Sequence, residues 1–214
     1  MKIKGFAIGE MQVNCYVLED EETGEGAIVD PGRYAPEVEE EVKKLKKLKY
    51  ILLTHGHFDH VWEVKFAKEK TGAEIVISKE DAGCLNDDPH NLCHHAGIEM
   101  NKCHADITVS DGDELFLGNE KIKVLHTPGH TQGSVCYLME DSRILISGDT
   151  LFCRTCGRTD FEGGSQEDML RSLKRLKELD GDYAVYPGHN RSTTLSEERV
   201  KNRYMKRELD KWCW

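Results

Sequence analysis

Seven residues of this chain carry the donor atoms that metal chemistry needs, and they fall in four short motifs. The stretch LLTHGHFDHVWEV, Leu52 to Val64, sets His55, His57, Asp59 and His60 between an apolar run and a helix-like pattern. Imidazole nitrogen suits zinc and iron, and carboxylate oxygen suits manganese, so this mixture points to a divalent ion. The i, i+4 histidine pair of a helical H-E-x-x-H site is missing, which places these donors on a turn between a strand and a helix. A histidine-rich surface turn is the bland alternative, but H-x-H-x-D-H directly after a fully apolar run is a rare chance arrangement. Three later motifs end apolar runs in the same way: VLHTPGHT offers His130, ILISGDT offers Asp149 and AVYPGH offers His189. Singly, each reads as an ordinary glycine-flanked turn. Together the four supply five histidines and two aspartates, enough for two four- or five-coordinate ions sharing one carboxylate. His126 reads as a supporting or packing residue.

These donors need elements to hold them. Short β-rich runs appear at Lys2–Ile8, Val13–Glu19, Gly26–Asp30, Tyr50–Leu53 and Glu74–Ser78, and again at Glu114–Leu117, Lys121–His126, Val135–Glu140, Arg143–Ser147 and Tyr183–Tyr186. Helical periodicity covers Pro36–Leu48, Val61–Lys70, Gln166–Leu179 and Ser196–Trp212. Hairpin-like joins such as LEDEETGEG and MEDSR require antiparallel pairing among otherwise alternating elements, so an α+β protein with mixed sheets and helices outside them is expected. With no repeat and no Gly/Pro/Ser-rich linker, residues 1–214 read as one domain.

Composition narrows the function. A chain of 214 residues can bury roughly 70% of its unfolded surface without staples. Its formal charge of −10 and the lack of a clustered Lys/Arg face argue against a nucleic-acid partner. No apolar run approaches 18 residues and no charged-then-apolar leader opens the chain, so neither a membrane span nor a signal peptide is expected, and the protein reads as cytoplasmic. The eight cysteines are then thiols rather than disulfides. Cys153 and Cys156 form a lone C-x-x-C, read as ordinary loop residues rather than a redox or metal pair. Cys93, His94, His95, Cys103 and His104 lie in a stretch without periodicity, read as loop.

The motifs themselves carry a resemblance. T-H-x-H-x-D-H at Thr54 to His60, G-H-T at Gly129 to Thr131, G-D-T-L-F at Gly148 to Phe152 and P-G-H at Pro187 to His189 resemble the metallo-β-lactamase superfamily, which implies an αββα sandwich with metals at the loop ends of two sheets. NCYVLED, IVDPG, CGRTDFEGG and STTLSEERVKN are similar, in order and spacing, to the small glyoxalase II-like hydrolases. By position the resemblance implies His55, His57 and His130 on one ion, Asp59, His60 and His189 on a second, and Asp149 bridging. The ions would be zinc, with iron or manganese as alternatives, and the nucleophile a bridging hydroxide. CRTCGRTDF also resembles the persulfide dioxygenases of the same fold, which implies a single iron on His55, His130 and Asp149. Beyond His189 the chain reads as a single helix rather than the basic helical segment with which glyoxalase II grips glutathione, so another thiol carrier is open.

The donor set favours hydrolysis of thioesters. None of the four motifs has a spare acid for the leaving group, and a thiolate, whose parent thiol has a pKa near 8.5, leaves without that help far more readily than an alkoxide. Asp59 is expected to orient the attacking hydroxide as well as to ligate. Arg158, in GRTDF, is a candidate contact for an anionic substrate, with structural salt bridging equally open. A metal-binding module without turnover would show eroded ligands, and none is missing. The partner is therefore expected to be a small-molecule thioester, and the chain a monomer or homodimer.

Overall fold

The computed structural model describes residues 1–86 and 88–206. Two six-stranded mixed sheets face each other. The first is formed, in spatial order, by β1 (Lys2–Ile8), β2 (Val13–Glu19), β3 (Glu25–Val29), β4 (Lys47–Leu52), β5 (Glu74–Ser78) and β6 (Ile107–Val109). Its first two pairings are antiparallel and its last three parallel. The second contains β7 (Glu114–Leu117), β8 (Glu120–His126), β9 (Val135–Met139), β10 (Ile144–Gly148), β13 (Ala184–Pro187) and β14 (Thr193–Thr194), while β11 (Leu151–Phe152) and β12 (Thr155–Cys156) make a separate hairpin.

Strand alternation produces the layers. Tyr16, Leu18, Val29, Leu52 and Val76 point inward, against Ile122, Val124, Tyr137 and Ile146 of the second sheet. The intervening Val17, Ile28, Ile51, Ile75 and Ile77 point outward, beneath α1 (Pro36–Val42) and α3 (Val64–Thr71). On the far side Leu125, Leu138, Leu145 and Val185 meet Met169, Leu173 and Leu176 of α5 (Gln166–Lys177) and Leu195 of α6 (Leu195–Lys201). The spacing 169, 173, 176 is one helix face, and Ser165 caps that helix by accepting from the Asp168 N–H at 3.2 Å. The result is the expected α+β αββα sandwich, with helices on both outer faces.

Boundaries differ in places. The helix expected over Pro36–Leu48 ends at Val42, and Lys47 and Leu48 begin β4. The Lys/Leu spacing there fits either period, and parallel pairing of Leu48 with Gly26 decides for strand. The helix expected over Val61–Lys70 is two pieces, α2 (Phe58–Val61) and α3, so Asp59 and His60 lie in a first helical turn. The stretch from Cys93 to His104, read as loop, opens with the short helix α4 (Cys93–Ala96), just after a 3₁₀ turn at Pro89–Asn91. The last helix is described as Leu195–Lys201, and the remainder expected to reach Trp212 lies outside the described residues. Among those residues the cysteines are free thiols, and no helix is long and apolar enough to cross a membrane.

Candidate metal centre

The topology delivers the donors to one edge. β8 and β10 are each antiparallel to β9, and β10 is parallel to β13, so all three finish on the same side. His130, Asp149 and His189 follow those three strands, and the histidine-rich motif follows β4 of the facing sheet. Direct bonds lock the two sheets there: the Tyr137 hydroxyl donates to the Leu53 carbonyl at 2.8 Å, and the Tyr16 hydroxyl to the Pro187 carbonyl at 2.7 Å.

All seven expected donors meet at this edge, in three overlapping groups whose donor atoms lie within 4.8 Å of one another: His55, His57 and His130; His55, His60 and Asp149; Asp59, His60 and His189. Asp149 stands between the outer groups, with Oδ2 at 3.4 Å from His130 Nε2 and 3.6 Å from His189 Nε2, and Oδ1 at 3.6 Å from His60 Nε2. Asp59 Oδ2 is 3.4 Å from His189 Nε2.

Several rings are held by their outer nitrogens. His130 Nδ1 donates to the Arg158 carbonyl at 2.7 Å and His189 Nδ1 to the Met11 carbonyl at 3.1 Å, which leaves Nε2 of each with its lone pair directed inward. His60 Nδ1 lies 3.0 Å from Asp30 Oδ2, and His55 Nδ1 3.1 Å from the Thr54 hydroxyl. His57 Nδ1 approaches His130 Nε2 at 2.8 Å, a spacing at which two lone pairs need a proton or a cation between them. His55 Nε2 and Asp149 Oδ1 are buried without a hydrogen-bond partner. Buried polar atoms are ordinarily satisfied, so inward-facing orphans among convergent His and Asp donors fit a metal site.

Electrostatics agree. Burial, reinforced by the neighbouring histidines, pushes His55 well below its usual range, and burial with His130 pushes His57 down to about 2, so both rings are neutral and able to ligate. At His60 burial opposes charge, yet Asp59, Asp149 and Asp30 raise it to about 10. Burial also opposes ionisation of Asp59, and His60 and His189 overcome it. Three carboxylates around one ring create a field that holds a proton there, and a divalent cation feels the same field more strongly.

Two supporting carboxylates were not anticipated. Asp30, at φ 48° just past β3, accepts from the Thr54 N–H at 2.8 Å and the Thr54 hydroxyl at 2.6 Å besides contacting His60. Asp81 is buried and accepts from the Gly56 N–H at 2.9 Å, the Thr131 hydroxyl at 2.7 Å and the Gly133 N–H at 2.8 Å, tying the loop of His55 and His57 to the loop of His130. Asp30 lies in the quoted IVDPG, but its partners are 24 and 30 residues away, and those of Asp81 25 to 52. Only the parallel order of β3, β4 and β5 could have signalled them. The tight packing also explains Gly188, where a Cβ would sit 2.1 Å from Asp149 Oδ1.

Other singled-out residues lie elsewhere. The Arg158 guanidinium pairs with both Asp160 oxygens at 2.7 Å and lies 3.8 Å over the Phe161 ring, so what reaches the centre is its carbonyl, through His130. His126 contacts the Gln132 carbonyl at 2.8 Å, outside the cluster. Cys153 lies in the β11–β12 turn and Cys156 ends β12, paired with Leu151, and neither they nor Cys93, His94, His95, Cys103 and His104 belong to a donor group among the described residues.

Comparison with known proteins agrees with this architecture. The metallo-β-lactamase superfamily matches residues 8–189. The hydroxyacylglutathione hydrolase GloC of Haemophilus influenzae is 31% identical over 213 residues, covering 96% of this chain and 98% of GloC. Among solved structures, the B3 metallo-β-lactamase BLEG-1 superposes with a TM-score of 0.89 at 32% identity, over 95% of this chain and 99% of that one. TTHA1623 in a di-iron-bound form gives 0.82 at 29% identity, over 94% and 99%. Two facing mixed sheets, donors gathered on one strand edge, and a match that runs from the end of β1 to His189 place this chain in the metallo-β-lactamase superfamily.

Proposed function

We propose that this protein is a metal-dependent hydrolase of small thioesters, working with two divalent ions. The observation that carries the reading is the meeting of seven His and Asp donors at one edge, with Asp149 3.4 Å from His130 and 3.6 Å from His189; a thiolate leaves such a centre more readily than an alkoxide. Similarity to GloC supports a thioester of a small thiol, and TTHA1623 supports a pair of ions with iron among the candidates. His55, His57 and His130 would hold one ion, Asp59, His60 and His189 the other, and Asp149 both. Zinc is proposed first, with iron or manganese as alternatives.

Ions bound at these donors would polarise the carbonyl and lower the pKa of water from 15.7 to about 7. The chain's own groups do the rest. Asp59, held as a carboxylate by His60 and His189, accepts a hydrogen bond from the attacking water and orients it. The acyl carbon gains hydroxyl as its bond to sulfur breaks, and the sulfur departs as thiolate. Arg158, more than half exposed and paired with Asp160, contributes through its carbonyl by fixing the His130 tautomer.

Elemental analysis of protein purified without added metal, paired with assays on a glutathione thioester and on glutathione persulfide, tests the reading. Two ions per chain with thioester turnover is the expected result. One iron with oxygen consumption on the persulfide would replace it with the dioxygenase chemistry of the same fold.

A further inference from the structure

Beside Asp59 opens a cleft of about 380 Å³ lined mostly by apolar side chains. Its walls come from four separate segments: Met11 in the turn between β1 and β2, Gly32 and Arg33 after β3, Phe58 and Trp62 of the α2 segment, and Ala96 and Ile98 around the end of α4. Met11 is 57% exposed, one of the few large apolar side chains so open to solvent among the described residues. Its carbonyl meanwhile holds His189, so the apolar wall and the donor set share one turn. Trp62 is fixed by its indole N–H donating to the Glu99 carbonyl at 3.0 Å, which presents the ring as a rigid surface. Glu10 and Arg33 bring the charged groups of the lining besides Asp59. Near the His57 and His130 end of the donors, Arg158 and Asp160 face solvent next to Phe161, whose ring centroid lies 5.9 Å from that of His57.

We propose that this cleft is the acyl subsite, and that the enzyme selects thioesters of apolar acyl groups several carbons long over those of small hydroxyacyl groups. The proposal rests on the hydrolase reading, and it follows from what each arm of a thioester requires. The reacting carbonyl must lie at the donor edge, so one arm extends past Asp59 and the other past His57 and His130. A biological thiol carrier is polar and suits the Arg158–Asp160 side, leaving the arm beyond Asp59 for the Met11, Trp62 and Ile98 walls. The volume lies within the range of sites that enclose small ligands, far larger than an acetyl or lactoyl group needs.

The test is a chain-length series of N-acetylcysteamine thioesters, acetyl through hexanoyl, with the metal-loaded protein. Burial of each methylene should raise kcat/KM two- to fourfold, so the hexanoyl-to-acetyl ratio should reach at least about 16. Met11→Gln and Ala96→Asp, which make the walls polar, should lower that ratio. In parallel, calorimetric titration with the unhydrolysable S-hexyl and S-methyl thioethers of N-acetylcysteamine reads binding without turnover, and the hexyl compound should bind at least about 30-fold more tightly. A flat series on an enzyme that hydrolyses the acetyl compound would overturn the acyl subsite and leave the hydrolase reading standing. If no thioester is cleaved, the hydrolase reading fails, and equal affinity for the two thioethers would then overturn the cleft assignment as well. A length dependence unaltered in both variants would show that the chain binds elsewhere.

Discussion

Two stretches of this chain are rich in metal-binding side chains, and among the described residues only one contributes to a cluster of donors. Thr54 to His60 places three histidines and an aspartate at the end of a buried parallel strand, where His55, His57 and His60 are at most 3% exposed. Cys93 to His104 has three histidines and two cysteines, yet His94, His95 and His104 are exposed and none of the five joins a donor group among the described residues. The difference lies in what stands behind the donors. Asp30 and Asp81 reach the first stretch from neighbouring strand ends and fix its backbone and one of its rings. Among the described residues no carboxylate backs His94, His95 or His104: the His94 and His95 rings face each other with centroids 4.1 Å apart, and His95 lies 6.1 Å from Phe161. Donor atoms alone do not make a site, and burial on a rigid edge with a carboxylate behind it does.

The largest effect should come from the residue shared by both sets. Asp149→Ala is expected to reduce metal at both positions and, by removing several kcal/mol of charge stabilisation at tenfold per 1.36 kcal/mol, to cut thioester turnover by about 10³-fold or more. Retention of both ions would show that Asp149 does not link the sets.

A smaller loss is expected from the backing carboxylates. Asp30→Asn preserves the residue type tolerated at φ 48° but weakens the contacts to Thr54 and His60, and should cost about 10- to 100-fold in metal affinity, read by competition with a chelator. Asp81→Asn should fall at the lower end of that range, because it holds loops rather than a ring. If neither variant changes affinity, the contrast between the two stretches has another cause.

The smallest effects define the other side of the comparison. A Cys153→Ser/Cys156→Ser protein and a His94→Ala/His95→Ala protein should each carry the parent's metal complement, with turnover within about twofold, as for surface changes away from a site. Loss of one equivalent in either would bring that pair into the centre.

The sequence made the seven donors legible because each of their four motifs closes an apolar run, and short continuous apolar runs such as Tyr16 to Leu18 or Ile75 to Ile77, buried on both faces, made most strands so. It was ambiguous where local pattern fits two periods, as at Lys47 and Leu48, where pairing with β3 overrides helix spacing. Two-residue strands such as β11, β12 and β14 are too short to show a period. Asp30 and Asp81 act across 24 to 52 residues, a relation that strand order creates and no local spacing displays. The cleft beside Asp59 was hidden for the same reason, since its walls come from four separate segments.

The central claim, two ion sites with Asp149 between them, is tested most directly by metal per chain in His189→Ala. His189 contacts Asp59 and Asp149 but stands apart from the His55, His57 and His130 group. The parent should carry two ions and the variant close to one, with most thioester turnover lost. A variant that keeps the parent's full metal content would contradict the dinuclear assignment, whatever its residual rate.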